Sequence, residues 1–170
     1  MKSEIRKALL ILIISAAIGV MSVAQEAVGK RTAPVPDAVS KGISCLASQD
    51  WVEDDLRELG LQDGKMVRVR FETASIPGIS PATPNNTNVL FLSLNNQRGW
   101  LLFFRLQQDG TVRAIRNGYR VRRTKEGWSA SEGNGGIATY RAISSYVAEL
   151  SRRPAVRLAL QSSSEGCQIE

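Results

Sequence analysis

Residues 89–106 read VLFLSLNNQRGWLLFFRL, and this stretch decides the fold. Two apolar runs, 89–94 and 100–106, are separated by the polar segment 95–99. Short apolar runs bounded by polar, turn-forming residues are typical of buried strands. The stretch therefore predicts two central strands joined by a hairpin loop.

Further strands are predicted on both sides of this hairpin. Residues 67–72 and 156–160 alternate apolar side chains with other, mostly charged, side chains, which is typical of strands with one buried face. Asp109-Gly110 and Asn117-Gly118 favour tight turns because both central residues of such turns need positive φ. These dipeptides would separate strands at 111–116 and 119–124. The pattern predicts an antiparallel meander of about five to six strands.

Two helices are predicted around this meander. The first begins at Ser48 or Gln49 and ends at Gly60, and the second covers residues 137–150 before Pro154 prevents continuation. Each has one apolar stripe at helical spacing. The predicted fold class is α+β, with the order α-β-β-β-β-β-α-β and both helices packed on one face of the sheet.

The N-terminal residues predict export. A basic segment with Lys2, Arg6 and Lys7 precedes the apolar run 8–21, and the small residues Ser22 and Ala24 follow it. This is the pattern of a cleavable signal peptide over residues 1–24. We expect an extended tether over 25–42, a single domain over 43–170, no transmembrane segment after cleavage, and a periplasmic or extracellular location.

Charge and cysteine content fit that expectation. Removal of residues 1–24 takes away three bases and one acid, which leaves 19 basic and 15 acidic residues, a net charge of +4. Cys45 and Cys167 are the two cysteines, and thiols pair in oxidising compartments. We expect a structural disulfide between them.

The chain has no histidine, which excludes Ser-His-Asp and Cys-His catalysis as well as zinc sites with imidazole ligands. No cofactor or metal motif is present, so we expect neither. A hydrolase would have to use carboxylates, for which the acidic helix face containing Asp54 and Glu58 is the obvious source. The expectation is a non-enzymatic binding module, with a carboxylate hydrolase or an envelope structural component as alternatives.

The strongest surface feature is basic. Residues 98–125 carry eight Arg and Lys against Asp109, whereas residues 50–63 carry six acids against Arg57. If these regions face apart, the domain is electrically polarised. We predict a partner-binding face formed by one cluster of arginine and aromatic side chains: Arg113, Tyr119, Arg120, Arg122 and Trp128. Arginine forks suit carboxylate and phosphate, so the partner would be an acidic protein, an anionic lipid or a cell-envelope polymer. Nucleic acid is a poor partner for an exported chain of this charge.

Two loops complete the candidates. Residues 127–136 are rich in glycine and precede the second helix, so Gly133, Gly135 and Gly136 form a candidate anion nest at its start. Residues 74–88 form a proline-containing loop of the length at which loops are often functional. This loop includes the glycosylation sequon at Asn85, which matters only in a eukaryotic source.

Overall fold

The apolar stretch that includes residues 89–106 forms the two central strands of a seven-stranded sheet. The computed structural model describes residues 35–74, 76, 86–132 and 136–170, which all belong to the unit Ala33–Glu170. The strands are β1 (Met66–Thr73), β2 (Asn86–Leu92), β3 (Arg98–Leu106), β4 (Val112–Thr124), β5 (Gly127–Glu132), β6 (Val156–Ala159) and β7 (Cys167–Ile169).

The strand order across the sheet is β5-β4-β3-β2-β1-β6, and neighbours along this path are antiparallel. β7 lies off the path and pairs in parallel with the first residues of β4. β5 pairs with the last residues of the same strand. The outer edge of β4 is therefore shared by β7 at one end and β5 at the other.

Three helices flank the sheet: α1 (Asp37–Ala47), α2 (Asp50–Glu58) and α3 (Ile137–Leu150). With them the element order is α-α-β-β-β-β-β-α-β-β. The predicted α+β class is confirmed, and the predicted order holds broadly, with an additional helix at the start and an additional strand at the end. No described helix is long and apolar enough to cross a membrane.

The helices lie on opposite faces of the sheet, so the expected packing on one face is corrected. One core joins α1 and α2 to side chains such as Phe91, Trp100 and Leu102. The other core joins α3 to the alternate side chains, such as Leu90 and Leu101. Successive residues of a strand point to opposite faces. Because β2 is buried along its whole length, it has no solvent face, and both faces must be covered.

Three local predictions also change. Residues 37–42 are helical in α1 and not extended, and residues 25–34 of the tether expected over 25–42 lie outside the described residues. Asn117-Gly118 is not a turn but lies inside β4, where the register with β3 shifts. The glycine-rich segment begins with β5, which follows a turn at Lys125 and Glu126, and its first residue, Gly127, has φ 129°.

The disulfide between Cys45 and Cys167 is confirmed. The Sγ–Sγ distance is 2.02 Å and the Cα–Cα distance is 5.4 Å. The bond joins α1 to β7 and lies at one end of the α1/α2 core, against which Cys167 packs. The signal peptide predicted over 1–24 and the sequon asparagine Asn85 lie outside the described residues.

Candidate arginine groove

The structure divides the predicted partner-binding face. Arg120 and Arg122 alternate with Val121, which packs in the α3 core, so these two arginines lie on the α1/α2 face. Tyr119 and Trp128 belong to the α3 core, and the Trp128 indole donates to Ser151 Oγ at 3.1 Å. Arg113 lies near the opposite end of β4, away from both sets. The five residues therefore do not form one surface.

Arg113 lies at the other end of β4, directly opposite Arg105 of β3. It donates to Gln168 Oε1 at 3.3 Å, and its guanidinium is 4.0 Å from a carboxylate oxygen of Glu170. Arg105 approaches the same carboxylate at 3.7 Å. This arginine pair is therefore partly neutralised by the C-terminal residue of the chain.

The acidic helix and the basic strands are in contact rather than facing apart. Asp55 of α2 is largely buried and forms an ion pair with Arg120. Arg98, which lies opposite Arg122, donates to the Glu58 carbonyl oxygen at 3.0 Å. Because acids and the C-terminal end of α2 already engage this basic face, it is a poor candidate for an anion site.

The candidate anion nest is described only in part. Gly133 and Gly135 lie outside the described residues. Gly136 occupies the N-cap of α3, where φ is −89° and no side chain caps the helix. Nothing in the described part of the chain adds a ligand group to this helix start, so the nest stays a prediction.

A different pair of arginines lacks neutralisation. Arg68 of β1 lies directly opposite Arg157 of β6. The nearby Leu160 N–H donates to the Lys65 carbonyl oxygen at 2.8 Å, so Lys65 and Leu160 form a hydrogen-bonded pair. Hydrogen-bonded and non-hydrogen-bonded pairs alternate along antiparallel strands. Arg68 and Arg157 then occupy a non-hydrogen-bonded position, where Cα atoms are about 4.5 Å apart and side chains are closest. In the described residues neither guanidinium makes an ion pair.

Arg68 and Arg157 lie at one end of a groove formed by two adjoining cavities of about 390 and 300 Å³. The cavities share Arg70, Leu92 and Asn96. The arginines that line the groove are Arg68, Arg70, Arg123, Arg152 and Arg157. Among the residues that the structure describes, no aspartate or glutamate lines either cavity. We call this surface the arginine groove.

Secondary structure explains why the groove exists. The pairing of β1 with β2 begins at Val69 and Phe91, so Met66–Arg68 precede this pairing, and Met66 and Val67 extend beyond the end of β2. The chain turns from β2 to β3 through residues 93–97, and the gap between this turn and the start of β1 forms the larger cavity. Residues near the C-terminal end of α3 close the other side. Met66 and Leu94 add exposed apolar side chains to the larger cavity.

Arg70 lines both cavities, and its surroundings shift the pKa of its guanidinium. Its Nε donates to the Arg153 carbonyl oxygen at 3.0 Å, just beyond α3. Burial lowers the pKa of Arg70, and repulsion from Arg68 lowers it further. The guanidinium stays protonated, and an anion in the groove would offset both effects because an opposite charge favours the charged form.

The least exposed carboxylates do not converge. Asp55 is engaged by Arg120 on the α1/α2 face, whereas Glu72 of β1 is held on the α3 face by Arg153 at 2.5 Å. A separate cavity of about 430 Å³ is lined by Glu53 and Asp63, but Glu53 is paired with Arg57, and Asp63 accepts from the Ser162 amide. Among the described residues no group of three or more acids or cysteines could hold a metal ion.

Sequence reasoning missed the groove because its strands are distant in the chain. The alternating pattern places arginines on one face of 67–72 and of 156–160, but it does not say that these two strands pair. Arg152 and Arg123 come from a helix end and from β4. The clearest usable signal was the recurrence of arginine at the charged positions of both alternating strands. Comparison of the chain with family models, curated proteins and solved structures finds no match.

Proposed function

We propose that this protein is an exported, non-enzymatic binding module that recognises an acidic ligand through the arginine groove. The single observation that carries the proposal is the set of five arginines lining two adjoining cavities, with no acid among the described lining residues. It keeps the predicted function but replaces the predicted arginines, since the surface moves from Arg120 and Arg122 to Arg68 and Arg157. Of the predicted partner-binding residues, Trp128 lines the smaller cavity of the groove.

Directly opposed like charges destabilise a sheet. Of the described cross-strand arginine pairs, Arg105–Arg113 is near Glu170 and Arg98–Arg122 is near the end of α2. Arg68–Arg157 has neither compensation. An anion that binds between these guanidinium groups removes the repulsion and accepts their hydrogen bonds, which favours its binding.

Export is supported by the disulfide, because such bonds persist in oxidising compartments. A periplasmic or extracellular location would place the groove among acidic proteins, lipids and envelope polymers. The carboxylate hydrolase remains an alternative without a supporting pair of converging acids in the described residues.

The test uses poly-L-glutamate as the probe. We expect the purified protein to bind it with an affinity that falls as salt increases. In the double variant Arg68→Gln/Arg152→Gln, binding should weaken by about tenfold for each charge-assisted hydrogen bond lost. The matched control is Arg116→Gln/Arg141→Gln, which removes the same charge from exposed positions outside the groove.

Equal loss in the two double variants would show that binding follows net charge alone, and the groove proposal would fail. Absence of poly-L-glutamate binding at low salt would also contradict it. Isothermal titration calorimetry measures both the affinity and the number of sites, which separates one groove from scattered contacts.

A further inference from the structure

We infer that the acidic ligand is an extended polypeptide segment that adds a strand to the free edge of β6. The inference rests on the proposed function, because it names the class of partner that the arginine groove recognises. It is carried by the position of Arg157, which both lines the groove and lies on the terminal strand of the sheet.

The backbone of β6 is available on its outer side. β6 ends the strand path and pairs only with β1 among the described strands. Since Leu160 donates to Lys65, the alternation turns the backbone groups of Leu158 toward β1 and those of Arg157 and Ala159 outward. Both outward-facing residues are exposed. An added strand could accept from their N–H groups and donate to their carbonyl oxygens.

The opposite edge of the sheet differs. There the Ala130 N–H of β5 donates to Ser144 Oγ of α3 at 3.1 Å. The helix therefore engages the outer backbone of β5, whereas no described hydrogen bond engages Arg157 or Ala159 on the outer side of β6. This difference favours β6 over β5 as the edge on which a partner strand can pair.

Side chains on β6 define which sequence would pair. Arg157 lies on the α3 face beside Arg68, whereas Leu158 packs half-buried against the α1/α2 core. An added strand continues both faces, so the residue next to Arg157 would be acidic and its neighbours would be apolar. The preferred segment alternates acidic and apolar residues. Its acidic side chains repeat every second residue, as Arg68 and Arg70 do along β1.

This geometry favours a polypeptide over the other anions. Lipid headgroups and acidic polysaccharides can neutralise arginine, but they do not present the regular donors and acceptors that complete a strand edge. A concave groove also suits an extended chain better than a flat membrane surface. The proposed occupant is therefore an acidic peptide strand, and vesicles are a test of the alternative.

The experiment compares two peptides of equal composition, one with alternating glutamate and valine and one with glutamates and valines in separate blocks. We expect the alternating peptide to bind at least about tenfold more tightly. Its binding should slow hydrogen exchange at the Arg157 and Ala159 amides and leave β5 amides unchanged. A third peptide, N-methylated at alternate residues, should lose this advantage without any change to the protein.

Ala159→Pro gives an independent test, because it removes an outward N–H and leaves the β1 pairing donors in place. The substitution should weaken the binding of the alternating peptide but not the binding of poly-L-glutamate. If both peptides bind equally, without protection of Arg157 and Ala159, strand addition is overturned while the groove proposal stands. If phosphatidylglycerol vesicles bind and neither peptide does, strand addition is again overturned. If poly-L-glutamate also fails to bind, both proposals fall.

Discussion

Arg68 and Arg157 lie directly opposite each other on β1 and β6, at a position where the strands exchange no hydrogen bonds. Their side chains are therefore close, and their repulsion lowers the stability of the sheet edge. We expect Arg157→Gln to raise the free energy of unfolding by about 0.2–1 kcal/mol at low ionic strength. Urea denaturation at low and high salt measures this gain, which should shrink as salt screens the charges.

The control for this gain is Arg113→Gln. Arg113 also opposes an arginine, but Glu170 lies near both members of that pair. Its substitution should therefore stabilise the protein less, or not at all. A loss of stability in Arg157→Gln at both salt concentrations would contradict the repulsion argument.

Arg120 and Arg122 should respond differently to charge reversal although they are two residues apart on one face. Arg120 pairs with the largely buried Asp55, so Arg120→Glu places two carboxylates together and should destabilise the protein by about 1–3 kcal/mol. Arg122 is exposed and opposes Arg98, so Arg122→Glu should be neutral or slightly stabilising. Thermal unfolding of the two single variants checks the difference. Equal effects would mean that the Asp55 contact contributes little.

We expect the protein to lose stability in alkaline solution because of Tyr146. Burial raises the pKa of its phenol from 10.0 to about 12, and Asn88 donates to the phenol oxygen at 2.8 Å. The folded state therefore keeps the proton that the unfolded state loses first. Stability from this group is complete below pH 10 and is lost as the pH rises from 10 to about 12.

Tyr146→Phe should reduce the fall of the unfolding free energy over this range, because it removes the titrating group. Urea denaturation at several alkaline pH values measures the slope. Glu72→Gln is the companion variant, since Glu72 lies 3.4 Å from the phenol oxygen and its charge adds to the pKa shift. An unchanged slope in Tyr146→Phe would assign the alkaline loss to other groups.

The disulfide should contribute substantially to stability because it closes a long loop. Cys45 and Cys167 are 122 residues apart. We expect the double variant Cys45→Ser/Cys167→Ser to lose about 2–5 kcal/mol. Hydrogen exchange should accelerate first in β7 and in residues 112–114 of β4, which pair with it. Uniform acceleration across all strands would mean that β7 is not held mainly by the disulfide.

Local patterns predicted the parts of the fold that depend on neighbouring residues. The apolar runs predicted β2 and β3, and the apolar stripes predicted α2 and α3. The expected export to an oxidising compartment predicted the disulfide between Cys45 and Cys167. The placement of helices on two faces required knowing that β2 is buried on both sides. The arginine groove depends on the pairing of β1 with β6. A pairing between strands that are distant in the chain cannot be predicted from the sequence of either strand alone.

Gly118 shows how a correct local signal led to a wrong prediction. Asn117-Gly118 suits a tight turn, but β4 continues through it, and the strand carries extra residues opposite Leu102 of β3. A Cβ atom on Gly118 would lie 2.5 Å from Trp100 Nε1 and 2.6 Å from Leu102 Cδ2. Glycine is therefore required for close approach to β3, which is a second common reason for glycine in a strand.

Gly118→Ala should accordingly lower the free energy of unfolding by about 1–3 kcal/mol, because the buried Trp100 side chain must move. The matched substitution is Gly136→Ala, where nothing lies within 4 Å of the added Cβ and φ is already negative. It should cost less, because no side chain has to move and only the preference of the N-cap for glycine over alanine is lost. Trp100 fluorescence and urea denaturation separate the two cases, since only Gly118→Ala should shift the emission of the folded state. If alanine were tolerated equally at both positions, β4 would have to bend away from β3 at Gly118, and the continuous strand would give way to the turn that the dipeptide predicts.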